Sequence, residues 1–135
     1  MTAGVFHSLP RAKQLIEFSG LRFGTITPTD LDGLIDYHNN AFAFFEIKSE
    51  GQQMPFGQAL AFTRIVTHLE RAGLKAALFV AEHCERDPDR QINAARCLVQ
   101  RVFTRGVWTD VDGERPLREV IDEFFASVGT CQSKA

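Results

Sequence analysis

The chain has 135 residues, of which 44% are hydrophobic and 24% charged, a balance typical of a globular protein. This length supports one hydrophobic core and is too short for two, so we predict a single domain spanning residues 1–135. The formal net charge is −2, so the chain has no overall basic field, which counts against tight, non-specific DNA binding. A local basic groove stays open, since fifteen Lys and Arg are spread along the chain.

Cysteine usage and hydropathy indicate the compartment. Cys84, Cys97 and Cys131 are widely spaced and form no Cys-x-x-Cys pair, so neither a disulfide framework nor a zinc site is expected. No run is long enough to span a membrane, and the N-terminus lacks a signal-peptide pattern. We therefore predict a cytoplasmic protein with no membrane partner.

The first predicted elements are a helix over residues 10–19 and a strand over residues 21–27. The helix has Pro10 at its start and Gly20 at its end. Glu17 lies off the apolar stripe of this helix, so it is either an exposed charge or a member of a site. Pro28 marks a break after the strand.

Residues 29–48 form the central feature of the chain, a predicted β-hairpin in which two strand-like runs flank residues 38–40. A three-residue loop pairs Tyr37 with Ala41. Asn40, at the third loop position, suits the left-handed conformation that such a loop needs.

The loop length decides which charged side chains of the hairpin meet. In the three-residue register Asp32 lies opposite Glu46, and Asp30 lies opposite Lys48. A two-residue loop would instead place Gly33 opposite Glu46 and turn Asp32 to the other face. We favour Asp32 over Asp30 as the partner of Glu46, with Asp30 as a second candidate.

Two carboxylates on one face suggest a site for a hard cation such as Mg²⁺, which leaves room for phosphate and water. A neighbouring lysine orients an attacking water, or acts as a base if burial lowers its pKa. Metal-assisted hydrolysis of a phosphodiester needs these groups. A solvated charged face is the simpler alternative.

A helix predicted over residues 55–71 follows the hairpin, and its inward stripe comprises Gln58, Phe62, Ile65 and Leu69. In the first turn, the Gln58 amide is placed to bind a phosphate or a metal-bound water, or else is satisfied by backbone.

The apolar residues 75–82 predict a strand covered on both faces, reached by a β-α-β crossover. His83 at its end is either structural or a phosphate contact.

The last elements are a strand over residues 95–105 and a helix over residues 116–129. Alternation places Arg101 and Arg105 on one face of that strand. With Arg96 they either follow a phosphate backbone or act as ordinary edge-strand charges.

The hairpin and the following helix resemble the PD-(D/E)xK nuclease superfamily, and within it the small phage-type members. The resemblance covers roughly residues 29–58 and rests on Thr-Asp-Leu-Asp-Gly at 29–33, Glu-Ile-Lys at 46–48 and Gly-Gln at 57–58. It implies an α/β fold with a restriction-endonuclease-like core, a central mixed sheet of four or five strands flanked by helices. The implied order is α-β-β-β-α-β with a β-α extension.

The resemblance also implies a metal-dependent nuclease that hydrolyses DNA phosphodiester bonds. Asp32 and Glu46 would hold Mg²⁺, for which Mn²⁺ substitutes, with the Ile47 backbone carbonyl as a third ligand. Lys48 would position or activate the water, and Gln58 would assist. In resembling families a glutamate of the first helix often joins the site, which makes Glu17 the candidate here.

Partners follow from the same resemblance. DNA is the expected substrate, with RNA as the alternative, and duplex-cutting members of the group commonly work as homodimers. The expected location becomes the cytoplasm of a bacterial or phage-infected cell. A competing interpretation is an inactive nuclease-fold module that binds DNA or a host or phage protein as an inhibitor or adaptor. Another is a structural subunit of a larger assembly, given the twelve Phe residues.

Overall fold

The computed structural model describes residues 15–132. These residues contain five strands and two α-helices. The strands are β1 Gly33–Tyr37, β2 Ala41–Ser49, β3 Lys75–His83, β4 Leu98–Thr104 and β5 Val107–Asp110. The helices are α1 Phe56–Arg71 and α2 Leu117–Gln132. The fold is α/β, as the sequence predicts.

The strands form one mixed sheet in the order β1-β2-β3-β4-β5. β2 and β3 are parallel and are joined through α1, whereas the other neighbouring pairs are antiparallel. Parallel neighbours need a crossover connection, which here is a helix. β3 lies in the middle of the sheet, and its run from Ala76 to Ala81 is buried throughout, which confirms the predicted two-sided burial.

Two apolar clusters lie on opposite faces of the sheet because successive strand residues point to opposite sides. The cluster beneath α1 comprises Phe44, Phe62, Val66, Ala76, Leu78, Val80 and Phe103. The cluster beneath α2 comprises Ala43, Ala77, Phe79, Val99, Leu117 and Ile121. On α1 the predicted stripe shifts by one residue, since Ile65 is 42% exposed and Val66 is fully buried. On β2, Glu46 and Lys48 lie on the same face of the strand as Phe44, and this face is directed toward α1.

The hairpin has the predicted three-residue loop, and Tyr37 pairs with Ala41. Its left-handed residues are His38 and Asn39, with φ of 56° and 59°, so the expectation for Asn40 was wrong. The Asn40 N–H instead donates to the Tyr37 carbonyl at 3.1 Å. Two successive left-handed residues twist the backbone in the sense that antiparallel strands require.

Regular pairing of β1 with β2 ends at Gly33, which lies opposite Phe45. The Phe45 ring lies over the Gly33 Cα, so a Cβ at this position would overlap the ring. A glycine covered by a cross-strand aromatic ring is a known way of stabilising a strand position that lacks a side chain.

Two predictions for the N-terminal part were wrong within the described residues. No helix covers residues 15–18, and a single 3-10 turn spans Ser19–Leu21; residues 10–14 lie outside the described range. Residues 21–27 form no strand, only a tight turn closed by a bridge between Phe23 and Ile26. Residues 15–32 are all exposed, and among the residues that the structure describes no strand pairs with residues 21–27.

The C-terminal strand differs from its prediction because of a β-bulge. Val80 pairs with Arg101 but Ala81 pairs with Val99, which leaves Gln100 as an extra residue on β4. Val99 therefore faces α2 while Arg101 faces α1. Arg105 lies in the β4–β5 turn with φ of 51°, and α2 continues past Gly129 to Gln132. Among the residues described, no helix is both long and apolar enough to cross a membrane.

Candidate functional site

Glu46 is the most deeply buried charged residue in the candidate site, with 2% of its surface exposed. It lies on β2 and faces α1, next to the apolar cluster beneath that helix. Burial, together with the neighbouring Asp32 carboxylate, raises the pKa of Glu46 to about 7. Near neutral pH this carboxyl group therefore lies close to the midpoint between its protonated and ionised forms.

Asp32 contacts Glu46 just beyond the last regular pair of the hairpin. The Asp32 N–H donates to Glu46 Oε1 at 3.2 Å, and Asp32 Oδ2 accepts the Ile47 N–H at 2.7 Å. These two bonds continue the ladder through side chains where backbone pairing has stopped. The predicted juxtaposition of Asp32 and Glu46 is thus present.

Lys48 and Gln58 connect this carboxylate pair to α1. The Lys48 ammonium lies 3.6 Å from Glu46 Oε2 and donates a hydrogen bond to Gln58 Oε1 at 3.1 Å. Gln58, which is 8% exposed in the first turns of α1, donates from its amide to the Asp30 carbonyl at 3.1 Å. Asp30 is therefore held against α1. The hairpin register alone had placed it opposite Lys48 in the ladder.

A cleft of about 680 Å³ opens beside this network. It lies between the extended segment of residues 25–30 and the N-terminal half of α1, and Lys48 and Gln58 form part of its wall. Lys48 retains 15% exposure of its side chain, so the ammonium is within reach of a molecule in the cleft. Asp32 and Glu46 lie behind Lys48 and do not line the cleft themselves.

No protein-family model, curated protein or solved structure matches this chain. A function can therefore be inferred only from the geometry and chemistry of the site residues.

The donor set bears on whether a metal fits. In the part of the chain that the structure describes, no three His, Cys, Asp or Glu side chains cluster closely enough to hold a metal alone. Asp32 and Glu46 supply two carboxylates. Mg²⁺ is commonly bound through one or two carboxylates, with waters and substrate phosphates completing its shell. Two adjacent carboxylates, one of them buried, suit such a partial ligand set.

Glu17 and His83 are not brought to this network. Glu17 is exposed, and hydrogen bonds from the Ser19 side chain and from the Ser19 N–H, the latter at 2.8 Å, lower its pKa. His83 lies at the end of β3, where its Nδ1 accepts the Glu85 N–H at 3.1 Å. It lines a separate cleft of about 700 Å³. The helix that was expected to carry Glu17 toward the site is absent from residues 15–18.

Arg101 and Arg105 do not share a face, contrary to the prediction. The Arg101 guanidinium stacks over the Trp108 ring at 4.1 Å and lies 3.4 Å from Asp110. The Arg105 backbone N–H donates to Glu70 at 2.9 Å, which ties the β4–β5 turn to α1. The Arg101 guanidinium therefore has local partners on β5, whereas the Arg105 contact involves its backbone alone.

Sequence reasoning missed Arg64, which lines the same cleft as Lys48. Gly57, Ala61 and Arg64 follow one another at helical spacing of four and three residues, so they lie on one face of α1. All three line the cleft. Counting this helical spacing from Gly57, which precedes Gln58, would have identified Arg64 from the sequence.

Proposed function

We propose that this chain is a metal-dependent nuclease that hydrolyses DNA phosphodiester bonds, using Mg²⁺ or Mn²⁺, and that its sheet is a restriction-endonuclease-like core. The observation that carries the proposal is the continuous network from Asp32 through Glu46 and Lys48 to Gln58 at the wall of a cleft. It combines paired carboxylates, an ammonium and an amide, which are the groups that phosphodiester hydrolysis needs.

Asp32 and Glu46 would hold the metal, with the Ile47 carbonyl as a third protein ligand. When bound, the metal polarises the phosphate and lowers the pKa of a coordinated water. Asp32 is suited to this role because one carboxylate oxygen is fixed by the Ile47 N–H, and the carboxylate lies beside that of Glu46. Binding a cation would also relieve the repulsion between the two carboxylates.

Lys48 and Gln58 act on the substrate side. The Lys48 ammonium points toward the cleft and donates to a phosphate oxygen or to the attacking water, so it stabilises the charge that develops on phosphorus oxygens. Gln58 fixes the ammonium through its carbonyl oxygen, and it is itself fixed by the Asp30 carbonyl. Such support keeps the lysine in place before substrate binds.

The experiment is cleavage of labelled single-stranded, duplex and four-way-junction DNA, and of a matching RNA, with Mg²⁺ or Mn²⁺. We expect cleavage by the wild type and a rate at least about a hundredfold lower for Lys48→Ala, the effect typical of losing a transition-state donor. Lys75→Ala is the matched control, since Lys75 is an exposed lysine at the start of β3. Equal cleavage by wild type and Lys48→Ala would contradict the proposal.

One observation favours the inactive binding module as a second candidate. The Asp32 contacts that complete the hairpin ladder are useful to the fold without any chemistry. Metal affinity separates the two candidates, because a purely structural Asp32 requires no cation. A rise in thermal unfolding midpoint with Mn²⁺ in the wild type, absent in Glu46→Gln, supports the nuclease. No cleavage and no such rise support the module, with DNA or a host or phage protein as its partner.

A further inference from the structure

The cleft beside Lys48 has the charge and shape to hold a strand of nucleic acid. We propose that it binds a single, unpaired strand, whose phosphates contact Lys48 and Arg64, and that the strand continues along α1 toward Arg71. This inference rests on the proposed function, since it specifies the substrate of the same site. It makes unpaired DNA, or the unpaired part of a branched molecule, the preferred substrate.

The exposed face of α1 supplies the positive charge. Arg64, His68 and Arg71 are exposed and follow one another at spacings of four and three residues, so they form one stripe. Within the described residues, neither Arg64 nor Arg71 makes a side-chain hydrogen bond or an ion pair. Arg64 and Arg71 are about 10 Å apart along the helix axis, so they can contact different phosphates of one strand.

The acidic residue of α1 does not oppose this stripe. Glu70 accepts hydrogen bonds from the Arg105 N–H at 2.9 Å and from the Thr104 hydroxyl at 3.3 Å. Its carboxylate is therefore directed to the β4–β5 turn, on the sheet side of the helix. The outward face of α1 is left positively charged.

The size and lining of the cleft favour one strand over two. Its volume of about 680 Å³ lies in the range that holds a small ligand, roughly 300–1,000 Å³, so it accommodates about one or two nucleotides. Ile26, Pro28 and Leu60 give its walls apolar surface. The faces of bases can contact such surface when they are free of a duplex.

The larger cleft of about 700 Å³ is a poorer candidate for a polyanion. It contains one arginine, Arg96, but Glu50, Glu82 and Glu85 also line it. The cleft beside the site has Lys48 and Arg64 against Asp30 alone. Phosphate contacts dominate the affinity for nucleic acid. The cleft beside Lys48, whose lining has more basic than acidic side chains, is therefore the better candidate.

The test measures binding of a fluorescent 12-nucleotide single strand and of the matching duplex, by anisotropy without divalent metal. We expect at least tenfold tighter binding of the single strand. Arg64→Ala should weaken it five- to tenfold and reduce the slope of log affinity against log salt by about 0.7, the value for one phosphate contact on a single strand. The matched control is Arg96→Ala, since Arg96 is an exposed arginine that lines the other cleft, and it should leave both quantities unchanged.

Equal or tighter binding of the duplex, or a loss with Arg96→Ala instead of Arg64→Ala, overturns the inference. Failure of the proposed function looks different. Arg64-dependent strand binding with no cleavage in Mg²⁺ or Mn²⁺ supports the strand site while removing hydrolysis. Cleavage that needs Lys48 but keeps its KM in Arg64→Ala overturns the strand path while retaining hydrolysis. Circular dichroism of each variant confirms that it is folded.

Discussion

Glu46 combines a buried position with a neighbouring carboxylate, and the two together raise its pKa from 4.5 to about 7. The folded protein thus holds a proton on Glu46 more tightly than the unfolded chain does. The stabilisation from this proton is complete below pH 4.5 and is lost as the pH rises through about 7. A metal-free protein should be less stable at pH 8 than at pH 5 for this reason.

Glu46→Gln tests this pH dependence. The amide cannot titrate, so the difference in the free energy of unfolding between pH 5 and pH 8 should shrink by up to about 3 kcal/mol, since one pKa unit corresponds to about 1.4 kcal/mol. Urea unfolding of the metal-free wild type and variant at both values of pH measures it. An unchanged pH dependence would mean that Glu46 does not titrate between those values of pH.

At the scale of single elements, the hairpin depends on the close approach of Gly33 and Phe45. The Phe45 ring occupies the space of a Cβ at Gly33, so Gly33→Ala must displace the ring from the cluster beneath α2. Overpacking of this kind destabilises proteins by about 1–3 kcal/mol. We expect a lower thermal midpoint.

Gly57→Ala is the control for this change, because nothing lies within 4 Å of a Cβ at Gly57 and the position is helical. Alanine there should stabilise α1 by up to about 1 kcal/mol. If both variants shifted in the same direction, the contact with Phe45 would not be the cause of the Gly33 effect.

At the scale of the whole molecule, the candidate site lies at an edge of the sheet. β1 pairs with β2 alone, and the ring of Tyr37 stacks on Phe125 of α2 at 4.3 Å between centroids. This stack attaches the edge strand to the helix on the opposite face from the site. The position of Asp32 therefore depends on packing beneath α2, far from the cleft.

Phe125→Ala should loosen this attachment. We expect a loss of about 1–3 kcal/mol in unfolding free energy, less than for a fully buried Phe, together with faster hydrogen exchange at the amides of β1. Phe23→Ala, at a residue that is 71% exposed, is the control and should change neither quantity. Unaltered exchange in β1 would show that β2 alone holds the edge strand.

Much of this architecture was predictable because it follows from period and spacing. A three-residue loop sets Asp32 against Glu46 by counting, and the helical period places Gln58 inward. Patterns were insufficient where one added residue changes the face, as at the Gln100 bulge, which separates Val99 from Arg101. They also failed over residues 21–27, where alternation exists but no strand of the described part of the chain lies alongside. The contact of Gln58 with Asp30 depends on the path of that segment, which no periodicity encodes.

The bonds that Asp32 makes at the end of the hairpin ladder have an evolutionary consequence. Under the proposed function, a descendant that lost hydrolysis would still benefit from an acidic residue at position 32, because the Ile47 N–H needs an acceptor where backbone pairing ends. The Lys48 ammonium contacts the side chains of Gln58 and Glu46 and does not complete the ladder. We therefore expect position 48 to be substituted first. When homologous sequences are compared, the residue at position 48 should therefore distinguish working enzymes from inert descendants better than the residue at position 32.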